Sequence, residues 1–175
     1  FNHFNVFVND GFDRYAISSY ERDAIRPNVL GRFRDLLGAA TLHPGMLFYL
    51  DNYLNTIPRQ QGGRTVGGIN ENHGRELLEL HTVGVDAGYT QTDVVEASRC
   101  LTGHGIDNIG QTGNYLYRAP NHDNGGKQVF DLAVAAGGGE GEFTDYLDRY
   151  RTATTPQDEQ RYLYALGDFD HPALI

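Results

Sequence analysis

Residues 69–103 constrain the fold more than any other stretch, because start and stop signals for two helices occur there in order. Asn70 or Asn72 can cap a helix whose early part holds Glu71 and Glu76. Leu77, Leu78, Leu80 and Val83 recur at helical spacing as its buried side, and Gly84 suits the left-handed residue just past a helix end. Gly88-Tyr89 then leads into Thr90-Gln91-Thr92-Asp93, a capping box with Asp in place of Glu. Val94, Ala97, Ser98 and Leu101 line the second helix, and Gly103 ends it. The stretch predicts a helical hairpin joined by residues 84–89.

The rest of the chain also reads mainly as helix. Ser18 or Ser19 can cap a short helix to Ile25, with Pro27 stopping it and opening the next. Val29, Leu30, Phe33, Leu36, Leu37 and Ala40 make one apolar stripe on that helix. His43-Pro44 restarts the chain, and Met46, Leu47 and Leu50 give a further apolar face. Residues 57–68 form a polar, glycine-containing connection. Residues 103–141 hold ten glycines and must be rich in loops, with residues 115–117 fit for a short strand. Gly137–Gly139 and Gly141 read as a linker. Beyond it, Phe143, Tyr146, Leu147 and Tyr150 share a helical face, and Thr155-Pro156 opens another helix with Tyr162, Leu163 and Leu166. The expected fold is all-α, with a long glycine-rich irregular segment and a short tail like one unit of an α-solenoid. The expected organisation is a helical domain at 1–136, a linker or junction at 137–142 and a helical-repeat fragment at 143–175.

The 175 residues suffice for one ordinary core, and 39% hydrophobic with 21% charged residues is globular in character. A net charge of −9 leaves no basic face for nucleic acid or anionic lipid. No run approaches the roughly 18 apolar residues of a membrane span. Cys100 is the single cysteine, so an internal disulfide is excluded, and an inert, half-buried thiol is the expected state. The aromatic run from Phe1 and the helix start at 172–175 read as cut ends, so the lack of a signal peptide carries little weight.

Histidines and carboxylates are the residues that could carry chemistry, as metal ligands or as acids and bases. Glu76, Glu79 and His81 lie on the first helix of the hairpin. Glu76 and Glu79 share a face, but His81 follows Glu79 by two residues and points elsewhere, so the two-ligand spacing of a zinc helix is absent. His81 then reads either as a partly buried histidine or as a catalytic or metal candidate. Arg75 and Glu79 have the spacing of a surface ion pair. His122-Asp123 lies in a glycine- and asparagine-rich loop, where function and a plain Asx-turn are both open. The catalytic candidates are thus His81, Glu76, Glu79, His122 and Asp123. The candidates for a divalent metal are His3, His81, His122 and Asp123, with His3 alternatively packed among Phe4 and Phe7. No phosphate-loop pattern and no Gly-x-Ser-x-Gly elbow occurs.

Several long motifs resemble one bacterial family. They are Asn2-His3-Phe4, the run from Ser19 to Pro27, residues 30–38, His43-Pro44 through Asn52, and above all Ile69-Asn70-Glu71-Asn72-His73-Gly74-Arg75-Glu76-Leu77-Leu78-Glu79-Leu80-His81-Thr82-Val83-Gly84-Val85. Gly88-Tyr89-Thr90, Asp93-Val94, Leu101-Thr102-Gly103 and His122-Asp123 with Lys127 continue the series. Over about residues 1–141 the chain resembles the family called domain of unknown function 1800. That resemblance implies a helical, usually exported protein and carries no activity. His73 stands where the family pattern has Tyr, and His104 where it has Trp. Residues 143–175 resemble the C-terminal helical-repeat domain of aminopeptidase N-type zinc peptidases, whose His-Glu-x-x-His helix this chain lacks. Together these imply a chain that joins two unrelated pieces near 137–142. The leading functional expectation is a surface or partner-binding module, with a protein or an extracellular polymer as partner. The alternatives are a metal-assisted hydrolase and a non-catalytic fragment of a zinc aminopeptidase.

Overall fold

The first helix begins earlier than the serines suggest. The computed structural model describes residues 2–130 and 132–133, all in the first of two units, Phe1–Ala133. The expected linker and helical tail lie outside the described residues. Helix α1 (Asp13–Ser19) runs without a break into a π-helical turn, Tyr20–Ile25. Ser19 has helical backbone angles and its hydroxyl donates to the Ala16 carbonyl, so it is an interior residue and not a cap.

Pro27 does not open the next helix. Asn28 donates its amide to the Ala24 carbonyl and accepts the Gly31 N–H on its own, which closes the chain into a turn. Helix α2 (Phe33–Thr41) starts only after the extended residue Arg32. The expected apolar stripe therefore loses its first members, and Leu30 is 97% exposed. Helix α3 (Pro44–Tyr49) follows the sequence reading: Pro44 takes the first turn and His43 Nδ1 accepts the Gly45 N–H at 3.1 Å. Phe4, Val6, Tyr20, Ala24, Ile25, Ala40 and Met46 form the core between these elements.

The hairpin is present, with one change of register. Helix α4 (Asn72–Glu76) passes into a second π-helical turn, Leu77–His81. A π turn holds more residues than an α turn, so side chains after it are rotated relative to the α-helical pattern. Leu80, expected inside, is exposed, and His81 is buried. Gly84 takes a φ of +93°, as expected past a helix end. Thr90 and Asp93 complete both bonds of the capping box at the start of α5 (Gln91–Cys100). Helices α4 and α5 meet closely at Gly74, where a Cβ would overlap Ser98 Oγ and lie 2.7 Å from the Ser98 backbone nitrogen. Leu78, Val94 and Ala97 form a second core there, flanked by Val83, Tyr89, Val129 and Phe130.

The fold is mixed rather than all-α. Among the described residues, strands pair in three antiparallel two-stranded sheets. The polar connection at 57–68 contains a hairpin, β1 (Arg59–Gln61) with β2 (Arg64–Val66), turned by Gly62 and Gly63 at positive φ. Strand β3 (His104–Ile106) pairs with β4 (Tyr115–Tyr117), the expected short strand, in the register His104 to Tyr117. Strands β5 (Gln128–Val129) and β6 (Leu132–Ala133) close the described chain. Strands of two or three residues are too short for a period-two pattern to register in the sequence.

Candidate functional site

The loop that carries His122-Asp123 is clamped onto α5. Arg99, in the last turn of α5, donates Nε to Asp123 Oδ2 at 2.7 Å and Nη2 to Oδ1 at 3.1 Å. Its remaining nitrogen, Nη1, reaches Glu96 at 2.7 Å. Two carboxylates thus share one planar donor fork. The Arg99 hydrogen bonds hold the Asp123 carboxyl down to about 2, against the opposing cost of burial. Asp123 also accepts the Gly125 N–H at 2.8 Å, which is the Asx-turn, while its own N–H donates to Thr102 Oγ1 at 2.8 Å. Lys127 donates to the carbonyls of Asp123 and Gly125, and Glu96 accepts the Gln128 N–H at 3.0 Å. Every polar group of this element that the sequence offers for chemistry is thereby committed to holding the loop.

His122 is the exception. Its Nδ1 lies 2.7 Å from the Thr102 carbonyl, which can only accept, so Nδ1 donates that bond. His104, on β3, bonds through Nδ1 to the Tyr115 hydroxyl at 2.7 Å. Burial and the nearby His122 push the His104 ring toward its neutral form. Four rings then run in sequence along the surface: Tyr115 to His104 at 5.9 Å, His104 to Tyr117 at 4.9 Å, and Tyr117 to His122 at 5.7 Å between centroids. Tyr115, Leu116 and Tyr117 are 41%, 40% and 43% exposed.

This ring strip is fixed from behind by residues that sequence reading missed. Asn52, fully buried, donates its amide to the carbonyls of Leu101 and His104 at 3.0 and 2.9 Å. Asn55 donates to Asn52 Oδ1 and to the Ser98 carbonyl, and accepts the Asn70 N–H. The Arg118 guanidinium donates to the Ile106 carbonyl at 2.7 Å. The signal for the two asparagines is weak: polar amides beside a helix end, where Asn52 reads simply as the end of an apolar face.

The remaining candidates sit in other surroundings. His3 donates Nε2 to the His81 carbonyl at 2.9 Å, and its ring packs on Phe4 and Phe33, the packing alternative. His81 is buried beside Phe4, and burial lowers its ring to about 4. Glu79 accepts the Tyr89 hydroxyl at 3.1 Å. Arg75 pairs with Glu71 at 3.0 Å, one turn back on the helix, and not with Glu79, which holds the Tyr89 hydroxyl. Glu76 keeps one buried carboxylate oxygen without a partner among the described residues. His3 meets His81, while His122 and Asp123 bond to Thr102 and Arg99 respectively, and among the described residues no three His, Cys, Asp or Glu side chains converge in a way that could hold a metal. Burial raises the Cys100 thiol, in keeping with an inert residue.

Fold and surface together define a mixed helical domain that presents a braced strip of aromatic and imidazole rings. The chain belongs to the family described as protein of unknown function (DUF1800), whose model matches residues 1–156. The match runs through 137–142 and into the following segment, so it lends no support to a join of two pieces there or to an aminopeptidase-type tail. No curated protein and no solved structure matches the chain. Among the described residues no helix is long and apolar enough to cross a membrane.

Proposed function

We propose that this unit is a binding module that takes an uncharged extracellular polymer along the ring strip Tyr115–His104–Tyr117–His122. The observation that carries the reading is three consecutive, two-fifths-exposed residues on β4 backed by a buried asparagine network. Exposed rings on a rigid backing offer stacking area at little cost in conformational freedom, the property a polysaccharide or similar chain uses. The net charge of −9, from 23 Asp and Glu against 14 Lys and Arg, argues against a polyanion. Export, which the family resemblance implies, is consistent with such a partner. A metal-assisted hydrolase draws less support, since Asp123 and Glu79 are engaged in holding structure.

Pelleting with insoluble cellulose, chitin and β-1,3-glucan tests the proposal. The wild-type chain is expected to be retained on one of them. A Tyr115→Ala/Tyr117→Ala variant loses roughly tenfold or more in affinity, from about 1–3 kcal/mol of ring contact. Failure of the wild-type chain to pellet with any of the three would overturn the polymer reading.

A further inference from the structure

Five of the seven histidines follow one another through this unit. His3 meets His81 with centroids 6.4 Å apart, His73 lies near both His81 and His104, and His104 meets His122 at 6.4 Å. His73 is fully enclosed, and neither of its ring nitrogens has a partner among the described residues. The Nδ1 of His81 is likewise buried and unpartnered among them. The joint that holds His73 is shut tight, with Gly74 pressed on Ser98 of α5.

The charged groups around this joint are committed elsewhere. Glu71 takes Arg75 and Gln91, Glu79 takes Tyr89, and Asp93 completes the capping box. Glu96 and Asp123 share Arg99. Glu76 is itself driven toward its neutral form, by burial first and by Glu79 second. The titratable groups that act on His73 are His81 from the π turn and His104 from β3, and His3 from the Asn2–Phe4 turn acts on His81. All three oppose a proton.

We propose that His73 and His81 form an acid latch, which keeps α4 and its π turn closed on α5 and on the Asn2–Phe4 turn while both rings are neutral, and opens that joint when they take up protons. An imidazolium inside needs hydrogen-bond acceptors, and neither nitrogen of His73 nor Nδ1 of His81 has one among the described residues. Opening supplies water and uncovers Leu78, Val94, Ala97 and Phe4, which pack there. The sign is fixed by the depressed values. Burial first, and then neighbouring histidines, hold His73 at about 3 and His81 at about 4. An unfolded histidine titrates near ~6.5, so stability is full above that pH and falls as pH drops toward 4 and 3. Each ring adds up to about tenfold per pH unit to the opening equilibrium, and the pair up to about a hundredfold.

Acid titration of the full chain from pH 7.5 to 3.5 tests this, following near-ultraviolet circular dichroism and the histidine ring C2–H chemical shifts by nuclear magnetic resonance. The expected result is a reversible loss of tyrosine ellipticity at the same midpoint at which the His73 and His81 ring resonances move to imidazolium positions. His73→Phe, which keeps a ring but cannot titrate, lowers that midpoint and flattens the transition. Imidazolium shifts at His73 with the ellipticity intact, or a midpoint unmoved by His73→Phe, would overturn the latch. If His73→Phe does not fold, the wild-type coincidence of ellipticity loss and ring protonation decides alone.

Discussion

Asp123 shows how a residue that looks catalytic is spent on architecture. Its carboxylate is fixed by both arms of Arg99 and by the Gly125 N–H. Asp123→Ala removes charge-assisted bonds of about 1.5–3 kcal/mol each in gross terms, and a net loss of about 2 kcal/mol in urea unfolding is expected. Its depressed value of about 2 means this contribution is full above the ordinary carboxylate range and disappears only as pH falls through about 2. Asp13 is the opposite case. It is fully buried, both oxygens lack a partner among the described residues, and burial with help from Asp10 raises it to about 7. The unfolded carboxyl ionises near ~3.9, so Asp13 costs stability increasingly from pH 4 to 7 and fully above. Asp13→Asn is therefore expected to raise stability by roughly 2–4 kcal/mol at pH 8 and to change little at pH 4. Thermal unfolding at the two pH values checks this, and an equal effect at both would contradict it.

At the scale of elements, the hairpin of α4 and α5 was legible because its boundaries are chemical. Gly84 supplies the left-handed backbone, and Thr90 with Asp93 supplies the cap. The π turn was not legible, since no residue type marks it, and it decided which of Leu80 and His81 faces inward. The opening of α2 was misplaced because Pro27 suits a turn as well as a helix start, and the side chain of Asn28 chose the turn. The three small sheets escaped the sequence reading, apart from β4, for want of length. The close approach of α4 and α5 gives the sharpest element-scale test. Gly74→Ala forces Ser98 aside and is expected to cost about 1–3 kcal/mol, whereas Gly110→Ala, where a Cβ meets open space, pays only for its positive φ. A smaller loss at Gly74 than at Gly110 would mean the helices are farther apart than described.

Across the whole described unit, two hydrophobic cores are tied together by polar residues. Asn52 and Asn55 reach the ends of α5 and β3 and the approach to α4. The family was legible in the sequence from motif order, and Asn52, Asn70, Thr90 and Asp93 of those motifs are among these braces and caps. The ring strip was not legible, because Tyr115, Tyr117, His104 and His122 are brought together by a hairpin and a loop and not by spacing in the chain. Asn55→Ala touches none of the rings, yet it strips the bond that holds Asn52, whose amide in turn holds the His104 carbonyl of β3. It is expected to lower stability by about 2 kcal/mol and to weaken polymer retention, two losses that pelleting and urea unfolding read separately. The most direct test of the account is to map the aromatic and histidine ring resonances by nuclear magnetic resonance while titrating a soluble fragment of the polymer that retains the chain. The account predicts shifts concentrated on Tyr115, His104, Tyr117 and His122, with the buried ring of Tyr20 unmoved. Shifts concentrated on His3, Phe33 and His81 would place the binding face on the other core and contradict it.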